Sequence, residues 1–263
     1  MKRPLSLVFT SALLCLMSLC PLVAQDVPAE TRALASTLDD VIERYCEASG
    51  GREHIKAVRS LRIETVLTMA DGSSGKLVYI KKQPYYMRSI WYGPRGIVVR
   101  KGFNGKRAWE LFQGPDGRER LSYLDGRLSE IFEWVLADPE ACGATLTMLP
   151  VERVGREECY RVRATYADGN VRDFWLDTAS LCEVRVTETR KNGATTTFLI
   201  EKPLKYDGIW FPGVQREIMP DGSTGNTIEI LDVQMNIGLL PCFFDPPEGL
   251  LGPESPQNTD PVP

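Results

Sequence analysis

Between Glu158 and Val186 the chain alternates apolar and polar residues with a period of two, and this limits what it can fold into. Tyr160, Val162, Ala164 and Tyr166 alternate with Arg161, Arg163 and Thr165. The run breaks at Ala167-Asp168-Gly169-Asn170. Phe174 and Leu176 then stand against Arg172, Asp173 and Asp177, with Trp175 interrupting the polar side. After Thr178-Ala179-Ser180, Cys182, Val184 and Val186 are set against Glu183, Arg185 and Thr187. A period of two means a strand with one buried face and one wet face. Short breaks carrying Asp-Gly return the chain antiparallel. A wide antiparallel sheet with one apolar face needs a cover, and what covers it decides what the protein does.

The rest of the chain extends this pattern. Residues 25–35 read as a linker. Ser36 or Thr37 caps a helix with Leu38, Val41, Ile42, Tyr45 and Ala48 on one stripe, stopped by Gly50-Gly51. A short helical turn is expected over Glu53 to Val58. Strands follow over Leu61–Met69, Lys76–Lys82, Tyr85–Tyr92, Ile97–Phe103 and Arg107–Phe112, the last two joined by an Asn104-Gly105 hairpin signal. A second helix is predicted from Asp125 to Ala137, with Leu128, Ile131, Phe132, Val135 and Leu136 on one face and Pro139 beyond its end. Strands resume at Ala144 and continue through Thr195–Leu204, Ile209–Met219 and Thr227–Asn236. The Pro-containing tail, 249–263, has no periodicity and reads as disordered. The sum is one domain over 36–248, mainly β (α+β), with about ten to twelve antiparallel strands and two helices.

Residues 1–24 have the form of a cleaved signal peptide: Lys2 and Arg3, an apolar run from Leu5 to Leu22, and Ala24 before Gln25-Asp26. Export to the periplasm as a soluble monomer follows, with lipidation at Cys20 the lesser alternative. The formal charge of −4 carries no footprint for nucleic acid. The basic cluster of Lys81, Lys82, Arg88, Arg95, Arg100 and Lys101 has the spacing of ordinary strand faces. Export permits disulfides among Cys46, Cys142, Cys159, Cys182 and Cys242, and Cys159 and Cys182 fall at the same end of the meander. None of these is in a C-x-x-C pair, so no structural zinc site is expected.

Catalytic signatures are scarce. His54 is the single histidine, in a polar turn, and any Ser-His-Asp or Cys-His arrangement would need it. Glu157-Glu158 and Asp39-Asp40 are sequence neighbours, a poor acid–base pair because strand neighbours point apart. The reading is therefore non-enzymatic, with no metal and no cofactor. A hydrolase using scattered carboxylates and an envelope sensor or protein-interaction module are the competing readings.

What remains is a shape argument. Two short helical stripes cover only part of so broad an apolar face, so the sheet either closes into a barrel or curls round helices and leaves an apolar cavity. An acyl chain in such a cavity would gain about 0.8 kcal/mol per buried methylene, on the order of 10 kcal/mol for a long chain. Ligand-facing candidates are Leu67, Met69, Ile131, Phe132 and Leu136; side chains filling the space are the alternative.

Several segments carry a family likeness. They are Ala48-Ser49-Gly50-Gly51 before Ile55-Lys56-Ala57-Val58-Arg59-Ser60-Leu61, and Phe103-Asn104-Gly105-Lys106-Arg107-Ala108-Trp109. Asp168-Gly169 with Trp175-Leu176-Asp177, and Tyr206-Asp207-Gly208-Ile209-Trp210-Phe211-Pro212, follow. Val233-Gln234-Met235-Asn236 and Phe244-Asp245-Pro246 close the set. In this order they resemble the outer-membrane lipoprotein-sorting (LolA/LolB-like) proteins, from about Leu38 to Pro247. The resemblance implies a curved, half-open antiparallel barrel with helices covering its concave face, and a periplasmic carrier of lipoprotein acyl chains or other lipids. Relatives of this fold also regulate envelope stress, which implies a possible membrane-associated protein partner.

Overall fold

Thr37 opens the first helix, α1 (Leu38–Ala48), by accepting a hydrogen bond from the Asp40 N–H at 3.2 Å. Asp39 and Asp40 sit in its positively polarised first turn. Its buried stripe is Val41, Ile42, Tyr45 and Cys46, as the 3.6-residue spacing predicts. The helix stops where Gly50 and Gly51 take φ of +84° and +104°, a region that side chains disfavour. A second helix, α2 (Arg52–Lys56), follows and buries Ile55. This computed structural model describes residues 34–124 and 134–247. The expected leader, the Pro-containing tail and most of the second predicted helix lie outside them. Of that helix, Val135 to Ala137 form a turn and Leu136 is buried.

Fifteen strands follow among the described residues. They are β1 (Ser60–Thr68), β2 (Ser74–Lys82), β3 (Tyr86–Tyr92), β4 (Val98–Phe103), β5 (Ala108–Gln113) and β6 (Glu119–Leu124). Next come β7 (Ala144–Val154), β8 (Glu157–Tyr166), β9 (Val171–Asp177), β10 (Glu183–Thr189) and β11 (Thr195–Glu201). The chain ends with β12 (Leu204–Tyr206), β13 (Ile209–Phe211), β14 (Val214–Ile218) and β15 (Thr224–Met235). The expected ten to twelve strands fall short for two reasons. β6 has a polar, weakly alternating sequence. The Thr195–Leu204 and Ile209–Met219 runs each divide, so that β12 and β13 form a separate hairpin.

The other thirteen strands make one antiparallel sheet in the order β6-β5-β4-β3-β2-β1-β15-β14-β11-β10-β9-β8-β7. β15 returns from the C-terminal side to pair with β1 and joins two meanders. The sheet is open: β6 and β7 are its two edges, so it is not a closed barrel. A bulge between Glu64 and Thr65 opposes one extra residue of β15, Leu231, which is exposed.

We call the face on which α1 lies the inner face. The main core joins the buried stripes of α1 and α2 to inner residues of β1, β7–β11 and β15, including Tyr160, Val162, Phe174, Leu176, Val186 and Val233. Ala35, which falls in the expected linker, belongs to this core, and its N–H donates to the Tyr160 hydroxyl at 2.8 Å. Among the described residues α1 and α2 pack on this half of the sheet, and no strand from β2 to β6 contributes to the cluster they join.

The outer face is covered differently. Residues 237–247 run over β2–β5. Phe244 is fully buried there against Val78, Ile80 and Tyr86. Trp109 Nε1 donates to the Phe244 carbonyl at 2.9 Å, Arg88 to the Phe243 carbonyl at 2.8 Å, and Asn104 to Asp245 at 2.7 Å. Gly102 makes room for this lock, since a Cβ there would lie 2.4 Å from the Trp109 indole. On the other half, Trp175 is buried beneath Arg161 and Arg185, whose guanidinium carbons lie 4.7 and 3.6 Å from its ring centroid. That stacking explains the apolar residue on the polar side of β9.

Candidate functional site

The inner face of β1–β6 is built in cross-strand rows. One row runs Thr65, Leu77, Trp91, Val99, Phe112 and Arg120. The next runs Ile63, Tyr79, Ser89, Lys101, Glu110 and Ser122. The third runs Leu61, Lys81, Met87, Phe103, Ala108 and Leu124. Partners opposed in an antiparallel pair share a face, so period two in each strand becomes a two-dimensional pattern here. Two mainly apolar rows flank a more polar one.

Leu77, Met87, Phe103 and Ala108 are buried, whereas Ile63, Leu67, Tyr79, Trp91, Val99, Phe112 and Leu124 are half-buried. Trp91 lies against backbone: a Cβ on Gly75 would come within 2.9 Å of its Nε1, and that N–H is buried without a partner. In the middle row Lys101 Nζ and Glu110 Oε2 pair at 3.1 Å. The face therefore offers two stretches of apolar contact area on either side of a polar row, a surface that a greasy ligand could cover.

Of the candidate contact residues, Leu67 stands on this face opposite Ile228 and beside Gly75, and is half-buried. Met69 is half-buried in the turn after β1, its N–H donating to the Ser73 carbonyl. Leu136 is buried in the main core with α1, away from the β2–β6 rows. Ile131 and Phe132 lie outside the described residues. Sequence reasoning missed Tyr79, Trp91, Val99 and Phe112, although extending the parity of Leu61 and Ile63 across each hairpin would have found them.

Residues weighed for other chemistry have local partners. His54 Nε2 is 2.7 Å from the Asp207 carbonyl and half in solvent. Asp40 pairs with Arg44 one helical turn on. Among the described residues no three His, Cys, Asp or Glu side chains gather as a metal site. The basic cluster is divided between the faces. Lys82, Arg88 and Arg100 point outward onto the Leu239 carbonyl, the Phe243 carbonyl and Glu119, while Lys101 points inward. Among the described residues Cys46, Cys159, Cys182 and Cys242 form no disulfide. Cys159 and Cys182 are both buried and are not bonded to each other.

No protein-family model matches the sequence, and no curated protein matches it. Solved structures do match. A DUF1329 family protein from Desulfovibrio piger superposes with a TM-score of 0.50 at 12% identity, over 78% of this chain and 97% of that one. An outer-membrane lipoprotein-sorting protein domain from Vibrio parahaemolyticus gives 0.50 at 14%, over 78% and 97%. A LolA superfamily protein from Nitrosomonas europaea gives 0.52 at 14%, over 81% and 99%. The chain has a LolA-like fold. Each comparison structure is covered almost end to end. The half-buried rows of β1–β6 and the helix-packed half are both parts of that one LolA-like sheet.

Proposed function

We propose that the protein is a non-catalytic periplasmic carrier or binder of lipoprotein acyl chains or other lipids, sent there by the leader at residues 1–24. The observation that carries the reading is the inner face of β1–β6. That face leaves Ile63, Leu67, Trp91, Val99, Phe112 and Leu124 half-buried, while the described helices pack on the other half of the sheet. The LolA-like fold supports it, since one solved neighbour is a lipoprotein-sorting domain. Leu67, Met69, Ile131 and Phe132 are the proposed acyl contacts, and Leu136 is buried in the core. Each methylene laid on these rows contributes about 0.8 kcal/mol, so a chain of a dozen or more carbons binds tightly even after ordering losses.

Native mass spectrometry of protein isolated from the periplasm tests this. Co-purified lipid, and saturable binding of a fluorescent fatty acid that Leu67→Arg weakens, are expected. A lipid-free protein that binds no fatty acid would end the carrier reading.

A further inference from the structure

The alternation around Cys182 assigns Glu183 to the wet face, and the structure reverses this. A bulge at Val184 leaves Glu183 opposite Leu176, on the inner face. Glu183 lines a small cleft, partly open to solvent, between α1, β10, β11 and the β12–β13 hairpin. Tyr45, Ile200, Trp210 and Phe211 wall it. Two groups there that could accept from a ligand, the Glu183 carboxyl and the Tyr45 hydroxyl, have no hydrogen bond among the described residues. The nearest compensating guanidinium, Arg172, is engaged by Glu188 at 2.6 Å.

Leaving a carboxylate in an aromatic cleft without a partner destabilises a fold, and an apolar side chain would fill the place at lower free energy. Burial pushes Glu183 up to about 7. Burial, followed by the charge of Glu183, raises the Tyr45 phenol well above its usual range. The walls already tolerate a cation: Lys205 Nζ lies 4.6 Å from the Trp210 ring centroid.

We propose that this cleft binds a primary or methylated ammonium group, with Glu183 as its counter-ion and Tyr45, Trp210 and Phe211 as its aromatic walls. An ammonium against aromatic faces gains cation–π attraction, which strengthens when water is excluded. The free space suits an ammonium head and not a whole lipid. The ligand is thus either a small free amine or the amine headgroup of a lipid, and the proposal stands independently of acyl-chain carriage. The groups facing Glu183 are Tyr45 from α1, Arg172 from β9, the adjacent Cys182, and Lys205 from β12 beside Cys182. The phenol and thiol are both raised, so Glu183 is the group that changes charge between pH 6 and 8.

The indole N–H resonance of Trp210 in the ¹⁵N-labelled protein, assigned by its loss in Trp210→Phe, reads the site directly. At pH 8 ethanolamine should shift it saturably, and Glu183→Gln should weaken binding at least tenfold. At pH 6 only about a tenth of Glu183 is ionised, so wild-type affinity should fall roughly tenfold. The wild-type pH series decides the matter even if Glu183→Gln does not fold. Short-chain phosphatidylethanolamine acting at concentrations where ethanolamine does not would make the lipid headgroup the source. Equal action by both would make it the free amine. An unmoved resonance, an undiminished response in Glu183→Gln, or an equal shift with phosphatidylglycerol of the same chain length would overturn the proposal.

Discussion

Trp109 donates its indole N–H to the carbonyl of Phe244, 135 residues away, at 2.9 Å. This bond couples β5 of the β1–β6 meander to the segment that follows β15. Trp109 and Phe244 are both fully buried, so the outer face of that half has its own core. The half-buried rows behind it stand on a sheet that is braced from outside. Phe244→Ala should lower unfolding stability by about 3–5 kcal/mol, as for other deeply buried phenylalanines. Trp109→Phe removes the donor with less change of shape and should lower it by about 1–3 kcal/mol. Urea unfolding measures both, and unchanged stability in Trp109→Phe would mean that the hydrogen bond contributes nothing beyond packing.

Asp173 is nearly buried on the outer face, with its oxygens 2.7 and 2.8 Å from Arg163 and 2.7 Å from Arg161. Burial opposes its ionisation, but the hydrogen bonds from Arg163 and then Arg161 outweigh this and hold its carboxyl below the usual range. Asp173→Asn leaves two guanidiniums facing each other. The expected loss is about 2–3 kcal/mol, less than for a fully enclosed pair because Arg163 reaches solvent. A folded pKa below the unfolded one stabilises at neutral pH, and that contribution disappears as pH falls through the acid range. The acid limb of a stability–pH curve should therefore flatten in Asp173→Asn.

Glu183 gives the opposite sign. Its folded pKa rises from 4.5 to about 7, so the native state holds a proton that the unfolded chain has already released. The stabilising contribution is complete below about pH 4.5 and is lost as pH climbs through 7. Over that window stability should drop by on the order of 2–4 kcal/mol in wild type, and the drop should vanish in Glu183→Gln. Denaturant midpoints at pH 5, 6, 7 and 8 check the slope.

Leu67 stands half-buried on the inner face of β1, so it tolerates change better than the core around α1. Leu67→Arg should weaken fatty-acid binding at least tenfold and lower unfolding stability by about 1 kcal/mol or less. Unchanged binding would remove the β1–β6 face from the proposed site. Fluorescence titration against thermal unfolding of the same samples separates the two effects.

The five cysteines should react in order of access. Cys242 is exposed, whereas Cys46, Cys159 and Cys182 are buried. Burial also pushes the Cys159 thiol up to about 11, so little thiolate is present at neutral pH. Intact-mass analysis after brief maleimide exposure should find one fast adduct, on Cys242. Early loss of Cys159 and Cys182 together would show a disulfide that this structure does not contain.

Much of the fold was legible because it is local. The strict alternation of β8 put Tyr160, Val162 and Ala164 on one face, and all three are fully buried in the core. Thr37 and Gly50-Gly51 marked the ends of α1 because caps are chosen by backbone geometry. β6 was not legible, since Glu119-Arg120-Leu121-Ser122 alternates weakly and is held by pairing with β5. Glu183 was assigned to the wrong face because period two fails across a bulge, and a bulge answers to the partner strand.

By itself, then, the sequence determined an antiparallel sheet, the stripe of α1 and the parity of each strand, because these depend on residues two to four positions apart. The tertiary structure alone decided that β15 pairs with β1, that residues 237–247 brace the outer face, and that Glu183 turns inward to an aromatic cleft. Those features join residues tens to well over a hundred positions apart. No local pattern encodes them, because the burial that stabilises them exists only once the distant partners have met.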